Sequence, residues 1–232
     1  MIIFYTTEIA GTLAQLTGEE ARHCLQVLRR KAGDPITFVD GKGGWYEGII
    51  SRTDKRSCDI EIQESLTRQD PRNFELHIAV APTKNIARFE WFLEKATEIG
   101  VGSITPILCR RSERKQIRTD RLDKILLSAM KQSMKAYLPV LNPLTPLEEF
   151  VGKGQRFIAH CDEGPKSHLW NNYTPGADVS ILIGPEGDFH PEEITWARKN
   201  EYKEVDLGPQ RLRTETAAIA AVHLIQLANE VA

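Results

Sequence analysis

The chain has 232 residues, 41% hydrophobic and 27% charged, with a formal net charge of −2. This is the composition of a soluble globular protein with one large domain or two small ones. It excludes a bilayer-spanning helix, because no apolar run is long enough.

The start, MIIFYTTEIAG, lacks the basic and long apolar segments of a secretory signal, so a cytoplasmic chain is expected. Cys24, Cys58, Cys109 and Cys161 are widely spaced, with no CxxC and no histidine at metal-ligand spacing. They read as reduced thiols, and no metal site is expected.

In chain order, MIIFY is a strand candidate. TGEEARHCLQVLRR reads as a helix, with Thr17 and Glu20 as a capping box. PITFVD, GWYEGII and CDIEIQES are short, β-branched or aromatic, and bounded by turn residues, so they read as strands. DGKGG between the first two is a hairpin signal. Residues 67–73, TRQDPRN, are polar and carry a proline, and read as a linker. It divides a small β-rich domain, 1–70, from a larger domain, 74–232.

Strands and helices alternate beyond the linker. FELHIAVAP is a strand, and IARFEWFLEKATEIG is an amphipathic helix closed by Gly100. ITPILC is a strand. Asp120 is expected to cap RLDKILLSAMKQSMK, which places Leu122, Ile125, Leu126, Ala129 and Met130 on one face. RFIAHC and DVSILIG are strands, PEEITWARKN is a helix opened by Pro191, and EVDLG is a short strand. TETAAIAAVHLIQLANEV is the last helix. The alternation predicts an α/β domain with a largely parallel sheet. The last helix is apolar nearly all round, so it lies in the chain's own core or beneath a second subunit. Ala221 is the position chosen to separate the two, since a charge there either dissociates or unfolds the protein.

The charge is uneven. Between Arg110 and Lys135 nine Lys and Arg face three acids, a local excess of six positive charges in an acidic protein. Such an island suits a polyanion, and its competitor is a solvated helix face. Two Gly-Pro loops follow strands, Gly184-Pro185-Glu186-Gly187-Asp188 and LGPQRLRTET from Leu207 to Thr216. Ligands of open α/β sheets collect at such strand ends. Glycine admits a ligand close to the backbone and proline stiffens the loop, so exposed main-chain groups can read a flat heterocycle. The alternative is two well-built turns. P-loop, nucleophile-elbow, HExxH and EF-hand signatures are all missing from the sequence.

LIGPEG together with LGPQRLRTETA resembles the RsmE family, bacterial 16S rRNA methyltransferases of the SPOUT superfamily that methylate N3 of a uridine in the decoding region. HCLQVLRRKAGD, DGKGGWYEG and EWFLEKATEIGVGSITPI are similar to further elements of that family, so the resemblance spans the whole chain. It implies a PUA-like β-barrel that helps hold RNA, at 1–70. It also implies a SPOUT α/β trefoil-knot domain at 74–232 and a homodimer through the last helix. The implied cofactor is S-adenosylmethionine, held by Leu182, Ile183, Gly184, Pro185, Glu186 and Gly187 on one side. Leu207, Gly208, Leu212 and Thr216 would form the other side.

Attack by uracil N3 needs its proton lost or the anion stabilised, and Arg213 is expected as the catalytic guanidinium that offsets charge on the uracil oxygens or a nearby phosphate. The sequence identifies no general base: Glu186 and Glu215 could each serve, or each could simply orient a loop or cap a helix. RNA contacts are expected from Arg22, Arg29, Arg30, Lys84, Arg88, Arg110, Arg111, Arg114, Lys115, Gln132 and Ser133. The implied partner is 16S rRNA in the 30S subunit. Three positions depart from the family pattern: Asp188 stands where a second glycine is usual, Gln210 where an arginine is common, and Lys131 to Lys135 replace Glu-Gln-x-x-Arg. The rival readings are a SPOUT enzyme acting on a tRNA ribose and an RNA-binding module without cofactor.

Overall fold

The computed structural model describes residues 1–67 and 73–231. Residues 68–72, most of the expected linker, lie outside the described residues. The chain forms two compact units, Met1–Pro71 with Met130–Leu138, and Arg72–Ala129 with Pro139–Ala232.

The first unit holds β1 (Phe4–Tyr5), β2 (Ile9–Ala10), β3 (Leu13–Thr17), α1 (Gly18–Arg22), β4 (Pro35–Val39), β5 (Gly44–Thr53) and β6 (Ser57–Thr67). Its six-stranded sheet runs β1-β4-β5-β6-β3-β2, with β1 and β4 parallel and the other pairs antiparallel. Strand alternation makes the core. In β3, Ala14 and Leu16 point inward while Leu13, Gln15 and Thr17 face out. They join Phe4, Ile36, Phe38, Ile50, Cys58 and Ile60. The register of β5 against β6 shifts at Glu47/Gly48 and at Ile50/Arg52, and such bulges curl a sheet. The DGKGG hairpin forms as expected: the Asp40 carboxylate accepts from Lys42 N at 2.7 Å and Gly44 N at 2.9 Å.

The helix expected over 17–30 is shorter. α1 stops at Arg22, and His23–Val27 is a π-helical turn. The expected capping box is absent, because the Thr17 side chain makes no cap bond. Glu20 instead accepts from Tyr5 N at 3.0 Å and from Lys131 Nζ at 2.6 Å. A strand amide and an ammonium satisfy that carboxylate better than a reach back to its own helix start. Two backbone bonds secure the returning segment, Gly43 N to Ala136 O at 3.0 Å and Leu138 N to Gly41 O at 2.9 Å.

The second unit runs β7 (Leu76–Val80), α2 (Ile86–Ile99), β8 (Ser103–Leu108), α3 (Thr119–Gln132), β9 (Val140–Leu141), β10 (Thr145–Pro146) and β11 (Gln155–Ala159). It continues with β12 (Ser167–His168), α4 (Leu169–Asn172), β13 (Val179–Ile183), α5 (Pro191–Lys199), β14 (Lys203–Asp206) and α6 (Thr214–Glu230). The strand order is β10-β8-β7-β13-β11-β14-β12, with β9 beside β8, and every pairing is parallel. A sheet covered on both faces needs continuous apolar strands, and all five residues of β13 are buried. Val80, Ile183, Ala159 and Val205 stand side by side in register, so four strands end at one level. That alignment brings their following loops together.

α2 ends as expected at Gly100, whose φ of +120° suits glycine and whose N–H reaches Ala96 O at 2.9 Å. Asp120 does not cap α3. It lies inside the first turn and pairs with Arg118 at 2.9 Å. α6 packs on α2, β7 and β13. Ala221 is fully buried within the single chain, so it belongs to the chain's own core and not to a subunit surface. Thr216, His223 and Glu230 are the exposed positions of that helix, with Ala220, Leu224 and Leu227 half-buried.

Candidate cofactor cleft

The loops after β11, β13 and β14 surround an open cleft of about 950 Å³. This lies within the range of small-molecule sites. Of the expected cofactor residues, Ile183, Gly184, Pro185, Glu186, Gly187, Leu207, Gly208 and Leu212 line it, as does Arg213. Two expected residues do not. Leu182 is fully buried in the core against α5, and the third-position spacing of the helix puts Thr214 and Ala217, not Thr216, on the cleft.

The wall after β13 is held on all sides. Gly184 is tightly packed: a Cβ there would lie 3.0 to 3.2 Å from Phe189, which would have to give way. Thr214 Oγ1 donates to Gly184 O at 3.0 Å and so ties this loop to the start of α6. Glu186 Oε1 accepts from Lys84 N at 2.8 Å. Arg111 Nη1 donates to Gly187 O at 2.9 Å and to Phe189 O at 3.2 Å. Asp188 adopts φ +61°, closes a turn with its N–H on Pro185 O at 2.9 Å, and accepts from Cys161 N at 2.7 Å. The wall after β14 is looser. Gly208 has φ +114°, its N–H reaches Asp206 Oδ1 at 3.0 Å, and a Cβ there would meet open space.

Below the walls, Glu193 is 2% exposed and accepts from Arg110 N at 2.8 Å and from His190 N at 2.7 Å. It fastens the start of α5 to the loop after β8. His160 Nε2 lies 2.9 Å from Glu204 Oε2, and Arg198 donates to the same carboxylate. Because that oxygen only accepts, the imidazole proton sits on Nε2. Burial pushes His160 below the usual histidine range, against the raising pull of Glu204.

The basic island is largely committed to the protein itself. Arg110 pairs with Glu192, Lys84 with Glu113 at 2.7 Å, and Arg114 donates to Thr83 O and Lys84 O. Arg88 lies 3.8 Å from the buried Glu215. Lys115 is exposed. Arg22, Arg29, Arg30, Gln132 and Ser133 fall in the first unit. Sequence reading missed the structural duties of Arg111 and Asp188. His160, inside the predicted strand RFIAHC, lies just past β11 and on the cleft. Among the described residues no His, Cys, Asp and Glu cluster can hold a metal.

A parallel sheet whose strand-end loops wall a cleft, in a chain that also carries a separate β-rich unit, fits the two-domain RNA methyltransferases. Residues 70–226 match the RNA methyltransferase domain model and residues 16–63 match the RNA methyltransferase PUA domain. A ribosomal RNA small subunit methyltransferase E of Aquifex aeolicus is 30% identical over 240 residues, covering 97% of this chain and 99% of its own. A crystal structure of a probable rRNA-methyltransferase from Porphyromonas gingivalis superposes with a TM-score of 0.92 at 38% identity, over 100% of this chain and 99% of the other. A ribosomal RNA small subunit methyltransferase E from Neisseria gonorrhoeae, bound to S-adenosyl methionine, gives 0.85 at 26% identity over 98% and 97%. The chain belongs to the ribosomal RNA small subunit methyltransferase E family, and its second unit has the SPOUT-type α/β fold.

Proposed function

We propose that the chain is an S-adenosylmethionine-dependent methyltransferase that methylates N3 of a uridine in the decoding region of 16S rRNA. It acts on the 30S subunit in the cytoplasm, as a homodimer through α6. Residues 1–70 form the PUA-like domain that helps hold RNA, and 74–232 the methyltransferase domain. The observation that carries this reading is the cleft between two Gly-Pro walls, with Arg213 on its rim.

The cleft fits the cofactor: its walls offer main-chain groups, and at Gly208 a side chain would take up open space on its border. Bound there, S-adenosylmethionine supplies an electrophilic methyl group. Ile183 to Gly187 hold it on one side, and Leu207, Gly208 and Leu212 on the other. Leu182, buried beneath the first wall's strand, and the exposed Thr216 do not line the cleft. Rigid loops set before binding reduce the ordering needed to reach a reactive geometry.

Uracil N3 attacks only once its proton is lost. Arg213 is exposed at the start of α6 and makes no ion pair among the described residues, so its guanidinium is available to the uracil oxygens. A cation there offsets the charge that develops as the proton leaves. Of the two candidate bases, Glu215 is 7% exposed, faces Arg88 and is not on the cleft. Glu186 lines the cleft, with Oε1 held by Lys84 N, which favours it as proton acceptor.

The test is incubation with undermethylated 30S subunits and labelled cofactor, followed by mapping of the modified base. A single N3-methyluridine in the decoding region is expected. Label on a tRNA ribose, or no cofactor binding by calorimetry, overturns the proposal. Sedimentation reads the dimer.

A further inference from the structure

Asp188 stands where the family pattern usually has glycine, and its backbone occupies the left-handed region at φ +61°. Glycine populates that region at no steric cost, whereas any side chain is strained there, and aspartate less than most. A strained residue persists where the surroundings over-determine it. Here the compensation is visible. Both carboxylate oxygens are used: Oδ2 accepts from Cys161 N at 2.7 Å and Oδ1 from Phe189 N at 2.8 Å. Cys161 follows β11 and Asp188 follows β13, so the first bond crosses between two strand-end loops of the cleft. Asp188 N also bonds Pro185 O at 2.9 Å, which fixes the turn that presents Glu186 and Gly187. Arg111 holds the carbonyls on either side of Asp188, at Gly187 and Phe189, so it cannot replace the link to Cys161.

We propose that Asp188 is a positioning residue, a clasp whose carboxylate fastens the loop after β13 to the Cys161 amide and so sets the width of the cofactor cleft before binding. The proposal rests on the cofactor reading above. Glycine at this position would relax the backbone but lose the clasp. The two variants therefore separate a positioning role from a merely structural one.

The experiment compares the full-length parent with Asp188→Gly and Asp188→Asn. It uses calorimetric titration with S-adenosylmethionine, thermal unfolding without ligand, and hydrogen exchange at the Cys161 amide. Asp188→Gly is expected to keep or raise Tm, speed exchange at Cys161, and weaken cofactor affinity about tenfold, the effect of one charge-assisted hydrogen bond. Asp188→Asn keeps one acceptor oxygen and tolerates the same φ, so it is expected to recover part of the affinity. Parent affinity in Asp188→Gly overturns the clasp alone, as does affinity lost only in step with Tm. A parent protein that binds no cofactor overturns the functional reading and the clasp's purpose with it, while exchange at Cys161 still reports the bond.

Discussion

The two walls of the cleft are made from the same Gly-Pro chemistry and yet are built differently. The wall after β13 is tied to the loop after β7 through Glu186, to the loop after β8 through Arg111, to the loop after β11 through Asp188 and to α6 through Thr214. The wall after β14 has the short link from Gly208 to Asp206 and carries exposed Arg211 and Arg213. Local stability follows the density of buried contacts and hydrogen bonds. The first wall is thus a fixed surface, the one proposed above to hold the cofactor. The second leaves its charged groups to be ordered by whatever enters. A motif seen twice in sequence does not imply the same duty twice.

The rigid wall is most vulnerable at Gly184. Gly184→Val drives a branched side chain into Phe189, which is 2% exposed, and is expected to remove about 3 kcal/mol of stability. Cofactor binding should vanish with it. Denaturant unfolding and calorimetry check both, and a folded variant with parent affinity would take this wall out of the site.

Arg213→Ala tests the loose wall. The rate of the chemical step should fall about hundredfold while cofactor affinity holds, since the guanidinium acts on the charge of the reacting base. Lysine should restore little, because it lacks the planar fork. Single-turnover kinetics on 30S subunits decide it; equal losses in cofactor binding would assign Arg213 to the cofactor instead.

Glu193→Ala undermines the rigid wall from below. Arg110 N and His190 N would lose a buried charged acceptor, which costs about 2 kcal/mol. The expected signature is a lower Tm with a smaller drop in affinity than Gly184→Val produces. The mildest change is Gly208→Ala. Its Cβ meets nothing within 4 Å, so the strain of φ +114°, about 1 kcal/mol, is all that it adds to the empty protein. Affinity should fall more than Tm, because the new methyl stands in space that the cofactor would use. Thermal unfolding with and without cofactor separates the two.

Much of this architecture is legible in the sequence because periodic signals are long. α2, α5 and α6, the strand Val179–Ile183 and both Gly-Pro loops follow from hydrophobic period and turn chemistry. β9, β10 and β12 have two residues each, too few for any period to register. The capping box at Thr17 failed for a different reason: Glu20 found partners at Tyr5 and Lys131, 15 and 111 residues away. The basic island shows the same effect. Arg111 and Arg114 donate to carbonyls 76 and 30 residues away, partnerships that local charge does not announce. The apolar face of α6 was legible as buried; which side Ala221 takes was not, because an alanine-rich helix gives little contrast between faces. Long-range hydrogen bonds leave no mark on local composition, and they decide what a side chain is free to do.

The return of Met130–Leu138 to the first unit carries a consequence for how the protein is made and divided. The amino-terminal unit is discontinuous, and a ribosome delivers its last piece only after α2, β8 and α3 have been synthesised. Its sheet can begin to form early, but the Lys131 partner of Glu20 and the backbone bonds to Gly41 and Gly43 come later. A gene cut within 68–72 therefore leaves the upstream fragment without the last piece of the first unit, and the downstream fragment carries that piece along with the second unit. The shortest fragment that includes every residue of the first unit runs through Leu138 and brings with it strands and helices whose own sheet is incomplete, so the two units are expected to be inherited, truncated and rescued together.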